Sequence, residues 1–146
     1  MGTVITNYDA NKHALSILVV DDGMGIQRSL SAEPKYNNIT ESEALRVCIE
    51  DSVTDGKGMG FGLYSTSLLA QSIAIRFEIH SGTHQLVFQN GAIKVETVPM
   101  WQGTKVFLEL RTNQEIDPNA IVAHRTDCIT QYNETFLDTP DLEELW

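Results

Sequence analysis

One carboxylate, Asp21, and the two glycines that follow it could recognise the base of a nucleotide. Asp21 ends an apolar run, residues 15–20, and Gly23 and Gly25 come directly after it. The run predicts a buried strand, so Asp21 would lie at the edge of a sheet. Glycine beside the acid lets a planar ring approach the backbone closely. We therefore expect Asp21 to accept a hydrogen bond from the amino group of a base; the alternative is a strand-end aspartate that only shapes a turn.

A second cluster could hold phosphates, because it has glycine at every second position: Gly56, Gly58, Gly60 and Gly62. It precedes an apolar stretch, residues 63–74, which predicts a helix. Free N–H groups and the positive end of a helix suit phosphate. The spacing matches neither the Walker phosphate loop nor the dinucleotide fingerprint. Lys57 could contact a phosphate or simply be solvated, and the two alternatives stay open.

Together the two clusters resemble the glycine boxes of the GHKL, or Bergerat-fold, superfamily of ATP-binding domains. Gyrase, the ninety-kilodalton heat-shock chaperone, sensor histidine kinases and MutL share this domain. Its first box, Asp-x-Gly-x-Gly, is matched by Asp21, Gly23 and Gly25. Its second, Gly-x-Gly-x-Gly-Leu-Gly-Leu, is matched over residues 56–63, with Phe61 in place of the first Leu. A later Gly-Thr before the last strand is matched by Gly103 and Thr104, so the resemblance covers residues 4–111.

The resemblance implies a fold of the α/β class, an α+β two-layer sandwich in which helices cover one face of a mixed sheet. It implies ATP or ADP as the ligand, with Asp21 bound to adenine and the second box around the phosphates. Thr104 would contact adenine through water, although an ordinary strand threonine is an equal alternative. The nucleotide would be bound by the following residues: Asp21, Gly23, Gly25, Ile26, Lys57, Gly58, Gly60, Phe61, Gly62, Leu63 and Thr104.

One element of the family has no counterpart before the first box. In the family, a helix there carries the Asn that binds Mg²⁺ and, in hydrolysing members, the Glu that activates water. Here the same region predicts a β-hairpin, with strands over 4–8 and 14–21. The domain is therefore expected to be N-terminally truncated, as a reduced version or as part of a longer protein. Mg²⁺ binding is in doubt, the catalytic residues are unknown, and we expect no sustained ATP turnover by this chain alone.

Composition narrows the range of partners. The chain has 146 residues and a net charge of −10, with 20 acidic and 10 basic side chains. Such a balance argues against a nucleic-acid partner, and no apolar run is long enough to predict a membrane span. Cys48 and Cys128 have neither metal-binding nor redox spacing, so we expect a reducing cytoplasm and no metal site.

Several elements must position these residues. Thr40 and Glu43 form a capping box before a helix predicted over 44–53, and Asn90-Gly91 predicts a hairpin turn. Four stretches with period two predict strands: residues 76–80, 85–88, 92–98 and 105–110. We place the ATP-binding domain at 1–111 and an acidic extension at 112–146. The extension is predicted to contain a short helix over 118–123.

Two functions remain open from the sequence. The first is an ATP- or ADP-binding module, regulatory in role, which becomes an ATPase or protein kinase only if another segment or protein supplies the missing helix. The second is a protein–protein interaction module with a vestigial nucleotide site. None of the four histidines is followed by an acid, as a phosphoacceptor histidine is. A partner protein or a second copy is expected in either case. The tail, residues 136–146, is predicted to dock on its own domain or on a second chain, and the alternative is a disordered terminus. Its apolar side chains are Phe136, Leu137, Leu142, Leu145 and Trp146.

Overall fold

The computed structural model describes residues 1–56 and 62–117. Met1–Ile116 forms one compact unit. Its described helices are α1 (Ile26–Leu30), α2 (Glu41–Val47) and α3 (Gly62–Ile73), with a 3₁₀ turn at Pro34–Tyr36. Its strands are β1 (Gly2–Asp9), β2 (Ala14–Asp21), β3 (Ala74–Gln89) and β4 (Ala92–Arg111). The predicted helix at 118–123 and the apolar tail lie outside the described residues.

The four strands form one sheet in the order β1-β2-β4-β3. The predicted two-layer α+β class is confirmed, but every described strand pair is antiparallel and the sheet is not mixed. The reason is the place of β4. The helical segment connects β2 to a strand of the same direction, β3, but the β3–β4 hairpin folds back and inserts β4 between them. No parallel pair can therefore form.

Both predicted hairpins are present. β1 pairs with β2 from Gly2↔Asp21 to Asp9↔Ala14. In the β3–β4 turn, Asn90 and Gly91 have φ of 54° and 77°, the left-handed conformation that a two-residue hairpin loop needs. The four short strands predicted between residues 76 and 110 are in fact two long ones. The apolar–polar alternation in the sequence is interrupted where the strands have register shifts beside Gly82, but the strands continue through these shifts.

The predicted helices are confirmed with changed bounds. Thr40 caps α2 as expected, because its hydroxyl accepts from the Glu43 N–H at 3.3 Å and its own N–H donates to Glu43 Oε2 at 2.9 Å. The helix ends at Val47 and not at residue 53. The chain turns after Cys48, and Ser52 takes a left-handed φ of 60° that no helix continues through. The helix predicted over 63–74 is α3, one residue earlier.

The core lies between the helices and the β3–β4 half of the sheet. Its largest fully buried side chains are Phe77, Ile79 and Leu86 on β3 and Leu45 on α2. Cys48 belongs to the same cluster, and burial raises the pKa of its thiol to about 12. In the part of the chain that the structure describes, no helix has the length and apolar character needed to cross a lipid bilayer.

The same face of the sheet is apolar but open over β1 and β2. Val4 pairs with Val19, which pairs with Val106, so their side chains share the face that packs against the helices. Tyr8 shares that face through Leu15 and Leu110. Yet Val4 is 64%, Tyr8 56% and Val19 41% exposed. We call Val4, Tyr8 and Val19 the open face.

A carboxylate at the start of α2 joins this helix to the bulge in β3. Glu41 Oε2 accepts from the Thr83 N–H at 2.9 Å and from the Thr83 hydroxyl, and it lies 3.0 Å from His84 Nδ1. The Thr83 hydroxyl and N–H, with a smaller contribution from His84, lower the pKa of Glu41. The ionised carboxylate therefore stabilises the fold.

We expect Glu41→Gln to lower the free energy of unfolding at pH 7 by about 1.5 kcal/mol, because hydrogen bonds to a charged group are weakened. The pKa of Glu41 is lowered in the fold, so this stabilisation is complete above the ordinary value of 4.5 and is lost as the pH falls further. Urea unfolding at several pH values measures it. Glu115→Gln, at an exposed position, is the control, and a constant difference down to pH 3 would contradict the assignment.

Candidate functional site

Asp21 lies where the sequence predicts it, at the last position of β2, and is half-buried. Its Oδ1 atom accepts from the Gly23 N–H at 2.7 Å and from the Thr104 N–H at 3.2 Å. Two backbone donors thus fix the carboxylate between the first glycine cluster and β4. Within residues 1–56 and 62–117, both of these hydrogen bonds go to Oδ1, and none goes to the second oxygen, Oδ2.

Gly103 allows β4 to pass against Asp21. It has a φ of +91°, and a Cβ atom there would overlap the carbonyl oxygen of Asp21 and lie 2.8 Å from its carbonyl carbon. Both neighbours are backbone and cannot turn aside. The Gly-Thr pair that the sequence singled out therefore brings the Thr104 N–H to the carboxylate. The donor to Asp21 is the Thr104 N–H and not its hydroxyl.

Ser81 joins three parts of the site, and the sequence analysis missed it. Its hydroxyl accepts from the Ile26 N–H at 2.9 Å and donates to the Gly103 carbonyl at 3.0 Å. Only 5% of Ser81 is exposed. Gly25, with a φ of +82°, leaves room for this hydroxyl, because a Cβ atom on Gly25 would lie 2.8 Å from it. A serine before a glycine inside an apolar strand was the available signal.

The segment before the second glycine cluster lies against α1. Ser29 on α1 donates to Asp55 Oδ2 at 2.7 Å. Gly56, with a φ of +81°, lies beside the Glu33 carboxylate, which a Cβ atom at that position would overlap. Since α1 begins directly after Gly25, the first glycine cluster and the residue just before the second cluster, Asp55, both adjoin this short helix. A negative charge, Glu33, stands at the entrance to the cluster expected to bind phosphate.

The second cluster itself is described only at its ends. Lys57, Gly58, Gly60 and Phe61 lie outside the described residues. Gly62 begins α3, and its carbonyl accepts from the Thr66 hydroxyl at 2.7 Å. Leu63 is half-buried and packs against the hydrophobic core, so its observed contacts are with the protein interior.

Two cavities adjoin these elements. The one beside the first glycine cluster, bordered by Gly25, Arg28 and Trp101, has a volume of about 70 Å³, far below the roughly 300 Å³ at which small-molecule pockets begin. Trp101 Nε1 is buried and has no hydrogen-bond partner among the described residues. The other cavity, of about 520 Å³, lies between the end of α2 and α3, and Asp51 and Tyr64 border it. None of the predicted site residues within 1–56 and 62–117 lines the larger cavity.

The described residues offer no metal centre. In residues 1–56 and 62–117, no group of three or more His, Cys, Asp or Glu side chains lies close enough to hold a metal ion. Asp21, Glu33 and Asp55 lie near the glycine clusters on different segments, and Asp21 and Asp55 have separate hydrogen-bond partners.

Comparison with known proteins adds little to this geometry. No protein-family model and no curated protein matches the chain. Among solved structures, the chain is similar to the ATPase region of Saccharomyces cerevisiae topoisomerase II, at 17% identity and a TM-score of 0.40 over 82% of this chain. The same region bound to ICRF-187 (dexrazoxane) gives 18% and 0.37. The chain spans about a third of those structures, 35% in each case. The function must therefore be argued from the residues of the site.

Proposed function

We propose that this chain binds an adenine nucleotide, ATP or ADP, with its base at Asp21. The observation that supports this is the way the carboxylate is held. Its Oδ1 atom accepts from the N–H groups of Gly23 and Thr104, so the side chain is oriented before any ligand arrives. Its Oδ2 atom can then accept from the amino group of adenine without reorganisation. Preorganisation of this kind favours binding, because less conformational freedom is lost when the ligand arrives.

The same carboxylate would discriminate between purines. Adenine has an amino group, a donor, where guanine has a carbonyl oxygen, an acceptor. A carboxylate facing a carbonyl oxygen leaves two acceptors opposed without a proton between them, which is costly when water is excluded. We therefore propose selectivity for ATP and ADP over GTP.

The second glycine cluster is the proposed phosphate site, with Lys57 as a candidate phosphate contact. α3, which begins at Gly62, has 12 residues, long enough to direct a positive helix end toward an anion. Residues 2–21 form the strands β1 and β2, where the resembled family has the helix with the Mg²⁺-binding Asn and the water-activating Glu. We therefore propose binding without sustained hydrolysis, and a regulatory role in a reducing cytoplasm. The affinity should depend little on Mg²⁺.

Titration calorimetry of the full chain with ATP, ADP and GTP tests the proposal. We expect saturable binding of both adenine nucleotides, a weaker response to GTP, and little change when EDTA replaces Mg²⁺. A folded protein that binds neither ATP nor ADP at millimolar concentration would contradict the proposal. Tight binding that strictly requires Mg²⁺ would reveal a metal ligand among the residues not described.

Glu33 offers a sharper test of where the phosphates lie. Its carboxylate lies beside Gly56 and would repel an anion bound there. We expect Glu33→Gln to bind ATP about threefold more tightly, a gain of about 0.6 kcal/mol that is reasonable for one screened charge. Glu96→Gln is the control, because it changes the net charge by the same amount. Glu96 lies on β4 near the Asn90-Gly91 turn, and its substitution should leave ATP affinity unchanged. Equal changes in ATP affinity in the two variants would contradict the placement of the phosphates beside Gly56.

The second candidate function, a protein–protein interaction module with a vestigial nucleotide site, is supported by the open face. Three exposed apolar side chains, Val4, Tyr8 and Val19, share a face with the core. The small volume of the cavity at Gly25, about 70 Å³, also favours this alternative. The two functions differ in the effect of substituting Asp21. The substitution should weaken nucleotide binding but should not change the binding of a protein partner.

A further inference from the structure

The two edges of the sheet differ in how they are protected. Edge strands expose unpaired backbone groups, and proteins block them with bulges, charges or proline. The β3 edge has register shifts at three places and charged side chains at Arg76 and Glu78. Another copy of the chain could not pair with that edge in a regular register.

The β1 edge has none of these features between Gly2 and Tyr8, and its one charged residue, Asp9, lies at the end of the strand beside the turn. From Gly2 to Tyr8 the strand contains no charged residue and no proline, and it is rich in β-branched side chains. Its register with β2 is unbroken over all eight residues. In a chain with a net charge of −10, this uncharged strip is the part of the sheet edge where a second copy meets the least repulsion.

The hydrogen-bonding pattern identifies which groups of β1 face outward. The Asp22 N–H donates to the Met1 carbonyl, and these residues continue the β1–β2 register. Antiparallel pairs alternate between bonded and non-bonded, so odd-numbered residues of β1 bond to β2. The N–H and C=O groups of the even-numbered residues therefore point away from the sheet: Gly2, Val4, Thr6 and Tyr8.

We propose that β1 is a self-association edge at which two copies of this chain pair antiparallel, forming one continuous eight-stranded sheet. The register that uses all four outward residues sets Gly2 opposite Tyr8 and Val4 opposite Thr6 of the second copy. It also places the two Ile5 side chains, each 55% exposed in one copy, against each other on the two-fold axis. This inference does not depend on nucleotide binding.

The register also joins the open faces. Val4 and Tyr8 share one face of β1, and an antiparallel pair related by a two-fold axis perpendicular to the sheet puts this face of both copies on the same side. The two open faces become one apolar surface. Pairing of the backbone and contact between Ile5 side chains together explain why this edge lacks the protection that β3 has.

Sedimentation equilibrium of the full chain over a range of concentrations tests the proposal, with Thr6→Pro as the variant. The Thr6 N–H points outward, so proline is tolerated there in one copy but removes two donors per dimer. We expect a dimer that is stronger at high salt, because screening reduces the repulsion between two acidic copies, and at least about tenfold weaker association of Thr6→Pro. Thr6→Val retains the N–H and should associate like the wild type.

A disulfide experiment tests the register independently and decides the matter if Thr6→Pro fails to fold. Ile5→Cys is made in a Cys128→Ser background, where the remaining thiol, Cys48, is buried. In the proposed register the two introduced cysteines form a non-bonded pair with Cα atoms about 4.5 Å apart, within disulfide range. We expect oxidation to give a covalent dimer, and Thr3→Cys, which would face Asn7, to give none. A monomeric wild type, undiminished association of folded Thr6→Pro, or equal crosslinking of both cysteine variants would overturn the proposal.

Discussion

Replacing Gly103 by alanine is expected to lower the free energy of unfolding by at least about 3 kcal/mol, a loss reached only when backbone strain and a steric clash act together. The Cβ atom would overlap the carbonyl oxygen of Asp21 and lie 2.8 Å from its carbonyl carbon. Neither group can move without displacing a strand end. The φ of +91° adds the cost of a left-handed conformation.

Gly91→Ala is the matched control for this prediction. Gly91 has a φ of +77°, but no atom lies within 4 Å of the point that a Cβ atom would occupy, so alanine there should cost only about 1 kcal/mol of strain. Urea unfolding of both variants by circular dichroism separates the two contributions. Equal losses would mean that β4 does not approach Asp21 as closely as the structure indicates.

Asp21→Asn is expected to weaken ATP binding about 10- to 150-fold, the affinity equivalent of the roughly 1.5–3 kcal/mol that a hydrogen bond to a charged group contributes. The amide oxygen can still accept from the N–H groups of Gly23 and Thr104, so the fold should persist. The amide nitrogen then replaces Oδ2 and presents a donor to the base. Discrimination against GTP should therefore decrease as ATP affinity falls.

Asp22→Asn is the control for Asp21, since Asp22 is adjacent, exposed and of the same charge. Calorimetric titration of both variants with ATP and GTP measures the effect. If Asp21→Asn binds ATP as tightly as Asp22→Asn does, Asp21 is not at the base, and the interaction module becomes the better explanation.

Local signals predicted the parts of the fold that are determined locally. The capping box at Thr40, the Asn90-Gly91 turn and α3 each depend on residues within a few positions of one another, and all three are confirmed. Hydrophobic alternation found most of β3 and β4 but split each strand, because a bulge interrupts period two without ending a strand. The antiparallel character of the sheet depends on the insertion of β4, which no local pattern encodes.

The site followed the same division. The sequence indicated Asp21, Gly25 and Gly103-Thr104 as separate motifs, and the structure brings them together at the end of β2. Ser81 and Glu41 belong to no such motif, and their partners lie 55 and 42 residues away along the chain. A polar side chain inside an apolar strand indicates an unmet hydrogen bond, but only the tertiary fold identifies its partner.

The position of β4 also sets an order on folding. β2 bonds to β4 from Ala14↔Arg111 to Val20↔Lys105. The backbone groups on the inner edge of β2 therefore stay unpaired until β4, the last described strand, is available. On the ribosome, the β1–β2 hairpin emerges before β4 and stays without this neighbour while α1, α2 and α3 are made. Pairings between distant segments are slow because loop closure precedes any gain from contact. A nascent chain of which only residues before 105 have left the ribosome should therefore be sensitive to protease, and one with residue 111 outside the ribosome should become resistant in a single step.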